Sequence, residues 1–144
     1  MTFFVDANVL IYSAVPSRYR APCLEILGAI VRGEAEGRTS TAALEEVWYI
    51  ELTRQAGSID GLTQRGYEIF APLLPVTDAA FRHALSLDAS ALGPNDRLHA
   101  GTCVTQSIEV IVSADSGFDE VRGVRRIDPL DPELLRELRR ASAG

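Results

Sequence analysis

At 144 residues, 47% apolar and 24% charged, the chain has the profile of one globular domain, residues 1–144, without low-complexity or disordered stretches. Its longest apolar runs fall short of the roughly 18 residues a membrane span needs, and its N-terminus lacks the basic region and cleavage site of a signal peptide. Twenty acids against fourteen bases give a net charge of −6, which excludes attraction of nucleic acid by the chain as a whole; all the bases are arginine, and the absence of lysine excludes P-loop phosphate binding and Schiff-base chemistry.

A cytoplasmic protein with no membrane partner is therefore expected. Cys23 and Cys103 lie far apart with no Cys-x-x-Cys pairing, and they read as two ordinary buried thiols.

In chain order, Phe3 to Val5 is a buried strand and Asn8 to Ser13 starts a helix that Pro16 to Arg18 breaks. An amphipathic helix follows from Arg20 to Val31, and Gly33 and Gly37 mark a loop. Ser40 or Thr41 caps a helix running to about Gln55, and a further helical stretch spans Ile59 to Phe70. Leu73 to Val76 reads as a short strand, and Thr77 or Asp78 caps a helix reaching Ala91. Gly93-Pro94-Asn95 turns the chain into a helix beginning near Asp96. Glu109 to Ser113 and Gly123 to Ile127 are strands, and Asp131-Pro132-Glu133 opens a terminal helix with Leu134, Leu135 and Leu138 on its apolar side.

Strands separated by helical segments predict an α/β fold, a mostly parallel central sheet with helices on both faces. In such sheets ligands bind beyond the carboxyl ends of the strands, where the strand order switches. Asp6 and Asp115 both directly follow predicted strands, Asp96 opens a helix, and Glu46 lies in the second turn of another. Each has an ordinary reading as well. Asp6 is either a ligand or a helix cap, Asp96 a first-turn helix acid, Asp115 a turn former, and Glu45 and Glu46 a solvated face. Apolar residues surround so much of that helix that its periodicity leaves open which glutamate faces inward.

Four stretches in this order carry a resemblance: Val5-Asp6-Ala7-Asn8-Val9-Leu10-Ile11, Ser40 with Glu46-Val47, Asp96-Arg97-Leu98-His99-Ala100, and Val112-Ser113-Ala114-Asp115-Ser116-Gly117-Phe118. From Thr2 to about Pro129 the chain resembles a PIN domain, and its compactness makes it similar to the VapC-type toxins of toxin–antitoxin pairs. The resemblance implies a three-layer α/β/α sandwich and a metal-dependent endoribonuclease with Asp6, Glu46, Asp96 and Asp115 as ligands. It also implies a homodimer and a cognate antitoxin that blocks the acidic pocket. The adjacent Glu45 leaves the register of the second ligand open by one residue, Asp119 adds a candidate fifth acid, and the terminal helix beyond residue 129 lies outside the likeness.

The chemistry of the residues agrees. Two carboxylates about 5 Å apart repel by roughly 3 kcal/mol at an effective dielectric of about 20, so four converging ones need protons or a divalent metal. All-oxygen ligands favour Mg²⁺ or Mn²⁺. The expected reaction is hydrolysis of an RNA phosphodiester by in-line attack of a metal-activated water, leaving a 3′-hydroxyl and a 5′-phosphate. Asn8 and Ser113 are placed to orient the carboxylates, and RNA would be met by Arg97, Arg18 and Arg20, with Arg54, Arg122, Arg125 and Arg126 as further candidates. His99 reads as a satisfied core histidine rather than a ligand, and His83 has no role. The alternative function is a PIN-like module that binds RNA or protein without catalysis. A dehalogenase-type phosphatase or a receiver domain would need the missing lysine, and a flap-type nuclease would need a longer chain.

Overall fold

The structure, a computed structural model, describes residues 2–143, with side chains through residue 140; Met1 and Gly144, the two ends of the expected domain, lie outside the described residues. Strand β1 (Phe3–Val5) is fully buried, and Asp6 ends it by capping helix α1 (Ala7–Ala14). That helix stops before Val15-Pro16, since a residue preceding proline is held out of helical geometry. Helix α2 (Arg20–Val31) leads to β2 (Gly37–Arg38), a two-residue strand within the stretch expected to be loop. No apolar run announces β2. A side chain at Gly37 would strike Ile30 and the Phe3 ring, so only glycine lets this backbone lie against β1.

Helix α3 (Thr41–Thr53) is capped by Ser40, whose Oγ accepts the Ala43 N–H at 3.1 Å, and α4 (Leu62–Phe70) follows. The expected strand over 73–76 is only a single parallel bridge between Ser40 and Leu74. Pro72 and Pro75 flank it and cannot donate to a ladder, which confines the pairing to one residue. Helix α5 (Asp78–Ser86) ends five residues earlier than Ala91, and α6 (Pro94–Thr105) begins with proline in its first turn. Strand β3 (Val110–Val112), a 3-10 turn over Ser116–Glu120, β4 (Arg125–Ile127) and helix α7 (Leu134–Ala143) complete the order.

Among the described residues the four strands form one sheet in the order β2-β1-β3-β4, and every pair is parallel. Phe4 pairs with Ile111, Val5 with Val112, and Val112 in turn with Ile127. Successive strand residues face opposite sides, yet all of β1 and β3 is buried, so both faces of the sheet are covered and the layering is α/β/α. The terminal helix joins this core: α7 packs on β1 with Leu134 and Leu138 buried, and Arg139 reaches Glu34 at 2.7 Å. Cys23 and Cys103 are free and buried, and burial pushes the Cys23 thiol up to about 12. No helix among the described residues is long and apolar enough to cross a membrane.

Candidate metal centre

Strand β1 connects toward β2 on one side, whereas β3 connects to β4 on the other, so the order switches between the carboxyl ends of β1 and β3. Asp6 follows the first of these strands and Ser113 the second. Asp6 is a helix cap: its Oδ1 accepts the Ala7 N–H at 2.7 Å. Its Oδ2 accepts the Ser113 hydroxyl at 2.6 Å and the Asn8 amide at 3.1 Å. Asn8 also donates to Ser113 Oγ at 3.1 Å and accepts the Ala114 N–H at 3.3 Å, while Ser113 Oγ accepts the Asp115 N–H at 3.0 Å. The carboxylate is thereby fixed before any ligand arrives.

Helices α3 and α6 bring the other members. Glu46 is half-buried and turned toward Asp6, whereas Glu45 is exposed and lines a groove with Trp48 and Tyr67. Glu46, and not Glu45, is thus the glutamate that stands in the cluster. Asp96 and His99, three residues apart on α6, share one face. One ligand atom from each of Asp6, Glu46, Asp96 and His99 lies within 4.8 Å of all the others. His99 Nε2 is 3.6 Å from Asp6 Oδ1, 3.6 Å from Glu46 Oε2 and 4.0 Å from Asp96 Oδ1. These are ionic separations, too long for hydrogen bonds.

His99 is therefore not the satisfied core histidine expected. It is 0% exposed, and among the described residues neither ring nitrogen has a hydrogen-bond partner. A buried polar atom without a hydrogen bond costs about 1–3 kcal/mol, and what His99 has instead is the charge of three carboxylates within 4.0 Å of Nε2. Its spacing from Asp96 was visible in the sequence; that it pointed at two further carboxylates depended on how α3 and β1 meet α6.

The electrostatics are those of a buried acidic cluster that one histidine offsets in part. Burial raises the Asp6 pKa, against the opposing pull of His99 and the Ser113 hydroxyl. Asp96 is pushed up to about 7 by burial first, then by the charges of Asp6 and Glu46 and by contact with Asp115. Burial works against charge on His99, but the adjoining Glu46, Asp6 and Asp96 outweigh it and the pKa is raised. Asp115 stands at the rim: it touches Asp96 and its Oδ1 accepts the Gly117 N–H at 2.9 Å, outside the four-residue cluster.

The sequence of residues 3–124 matches the PIN domain family. The chain belongs to this family. Solved structures agree on the fold of this PIN domain. It is similar to a chain of FitAB bound to a DNA fragment, with 17% identity, a TM-score of 0.69 and 90% of this chain matched to 95% of that one. It is also similar to a chain of VapBC2 from Rickettsia felis bound to promoter DNA, with 14% identity, a TM-score of 0.64 and coverage of 89% and 98%. A chain of FitAcB from Neisseria gonorrhoeae has 15% identity, a TM-score of 0.65 and coverage of 91% and 99%. No curated protein sequence matches the chain.

Several candidate residues of the PIN domain stand elsewhere. Asp119 is held by Arg126 through two bonds of 2.9 and 3.2 Å, and Arg126 also donates to the Ser113 carbonyl and to Asp128. Its carboxylate is committed to a guanidinium rather than turned to the cluster. Arg97 is likewise occupied: its three guanidinium nitrogens donate to the carbonyls of Leu87, Ala89 and Leu92 at 2.8 to 2.9 Å. It ties together the loop on which α5 ends early, and it has little left for a phosphate. Arg18 and Arg20 are exposed, with Arg18 over the Tyr19 ring, whereas Arg54 faces Asp60 and Arg125 pairs with Glu137. Arg122 is exposed, and His83 lies in the last turn of α5, away from the cluster.

Proposed function

We propose that this PIN domain is a divalent-metal-dependent endoribonuclease and the toxin component of a type II toxin–antitoxin pair. The observation that carries the reading is the convergence of Asp6, Glu46 and Asp96, from a strand end and two helices, at the switch point of the sheet. Three half-buried or buried carboxylates this close repel one another and favour a cation in their midst, and the orphaned His99 nitrogens add donors without protein partners. The residues fit a metal.

Asp6, Glu46 and Asp96 would hold Mg²⁺ or Mn²⁺, with Asp115 at the rim. When bound, such an ion supplies a lowered pKa for a coordinated water and neutralises charge building on a scissile phosphate. The chain's own residues do the rest. Ser113, Asn8 and the Ala7 N–H orient Asp6 so that it need not reorganise during the reaction. In-line attack by water would leave a 3′-hydroxyl and a 5′-phosphate. RNA would be met by the exposed Arg18 and Arg20, since Arg97 is occupied and the chain is acidic overall.

The fold shared with a chain of a toxin–antitoxin complex from Klebsiella pneumoniae supports a cognate antitoxin as partner. A homodimer is proposed with it, and the exposed Trp48, Tyr49 and Leu52 on α3 are apolar enough to serve an interface. The test of the function is cleavage of labelled structured RNAs with Mg²⁺, Mn²⁺ or EDTA, beside an Asp6→Asn, Asp96→Asn double variant. Metal-dependent cutting by the wild type alone is the expected result. No cutting and no metal binding by wild type would sink the reading in favour of a non-catalytic binding module.

A further inference from the structure

We infer that His99 Nε2 is a direct nitrogen ligand of the divalent cation, giving the centre a mixed nitrogen–oxygen donor set that favours Mn²⁺ over Mg²⁺. This assignment rests on the metal-dependent reading above and extends it beyond the acidic residues.

The first ground is the state of the imidazole. His99 is wholly buried, its two nitrogens lack hydrogen-bond partners among the described residues, and Nε2 is aimed into the carboxylate cluster. A neutral imidazole carries one donor and one acceptor, and protein interiors rarely leave both idle. The second ground is spacing. An imidazolium paired with a carboxylate closes to about 2.7–2.9 Å. Ligand atoms sharing a six-coordinate ion with bonds of about 2.1 Å stand about 3.0 Å apart when adjacent and about 4.2 Å apart when opposite. Separations of 3.6, 3.6 and 4.0 Å from Nε2 are longer than an ion pair and lie between the adjacent and opposite spacings, so sub-ångström shifts of the side chains would bring these atoms onto one ion.

The surroundings hold that geometry. The His99 ring lies 5.5 Å from the Phe4 ring of β1, and its helix is the one that carries Asp96. Across the cluster Asp6 Oδ2 is occupied by Ser113 and Asn8, while Oδ1, which among the described residues accepts only the Ala7 N–H, is the oxygen that faces His99. Mg²⁺ prefers oxygen and retained water, whereas imidazole binds Mn²⁺ and later transition ions better, so one nitrogen separates the two metals. His99 Nδ1 has no acceptor among the described residues to fix the tautomer, so the expected gain from the imidazole is modest, about tenfold.

The experiment titrates chelator-stripped protein with Mn²⁺, read from the paramagnetic resonance of the free ion, and with Mg²⁺ by competition. Wild type, Asp6→Asn and His99→Asn are compared, with circular dichroism to establish folding. Asp6→Asn should lose both metals. His99→Asn should bind Mn²⁺ about tenfold more weakly and Mg²⁺ within about twofold of wild type. An unchanged Mn²⁺ to Mg²⁺ ratio, or tighter binding of both ions once the imidazole is gone, would overturn the ligand assignment and leave the metal centre standing. Wild type binding neither ion would instead remove the proposed function. Because His99→Asn alters a buried site, nitrogen-15 histidine spectra of wild type with Zn²⁺ as a diamagnetic probe give a second answer. The chain has two histidines. Only the His99 Nε2 resonance should move on site occupancy, with His83 as control; a stationary His99 at saturation would overturn the proposal.

Discussion

Ser113 donates its hydroxyl to Asp6 Oδ2 at 2.6 Å, joining residues from adjacent strands across the switch in strand order. Ser113 Oγ in turn accepts the Asp115 N–H and the Asn8 amide, so one buried hydroxyl serves two acids. Ser113→Ala should destabilise the protein by about 1–3 kcal/mol, because Asp6 and the Asp115 N–H lose partners they cannot replace with water. It should also weaken Mn²⁺ binding by about tenfold, as Asp6 gains rotational freedom. Urea unfolding and a metal titration on the same preparation measure both effects. Stability falling with metal affinity unchanged would mean that Ser113 supports the fold alone.

The pH dependence has a definite sign. Asp96 is raised from an ordinary 3.8 to about 7, and Asp6 is raised as well, so the folded state holds protons that the unfolded chain has released. Their stabilisation is present below the unfolded carboxylate range and is lost as pH rises toward 7. His99, also raised, loses its contribution as pH climbs from its ordinary 6.5 through its folded value, which acts in the same direction. Glu34 is pulled down to about 2 by Arg32 and Arg139, but its opposite slope falls below this window. In chelator the protein should therefore be less stable at pH 8 than at pH 5, by an amount on the order of 2 kcal/mol once partial exposure of Asp96 is allowed for. Saturating Mn²⁺ requires ionised carboxylates and a neutral imidazole, and should flatten or reverse the slope. Chemical denaturation across pH 5–8, with and without metal, reads this out.

What the sequence made legible follows from where the determinants lie. Asp6 announced itself because an apolar run ends on an acid, and both the strand and the cap are local. Strand β2 was invisible because two residues, Gly37 and Arg38, pair with β1 only through tertiary packing against Ile30 and Phe3. The early end of α5 escaped notice for a related reason: the loop after it is organised by Arg97, which arrives from the next helix. Leu134 and Leu138 showed the apolar side of α7, but its packing on β1 is a long-range contact. At the site, Glu46 could be separated from Glu45 only once α3 was oriented, and His99 became a candidate ligand only once three elements met.

Arg97 gives a test of that loop. Its guanidinium holds three carbonyls on one side of Asp96, so Arg97→Ala should cost about 2–3 kcal/mol and loosen the entry to α6. Arg97→Lys should recover little, because an ammonium cannot span three carbonyls set for a planar fork. Hydrogen exchange should show faster opening over residues 87–95 in both variants. A lysine variant as stable as wild type would mean that the charge, and not the fork, matters.

Two glycines in helices set opposite expectations. At Gly101 an added Cβ would meet the backbone carbonyl of Ala80, where α6 packs on α5. Backbone cannot step aside as a side-chain tip can, so Gly101→Ala should push the helices apart at a cost of about 1–3 kcal/mol. Because α6 also carries Asp96 and His99, the displacement should weaken metal binding alongside stability. At Gly28, in the third turn of α2, the atoms met belong to the flexible end of Arg32, which is exposed and can move. Gly28→Ala should then show mainly the helix preference of alanine, a gain of roughly 0.5–1 kcal/mol with metal affinity unchanged. Melting temperatures in chelator should separate the pair by several degrees in opposite directions from wild type. Equal behaviour of the two variants would mean that the α5–α6 contact is looser than the structure draws it, and with it the position of His99.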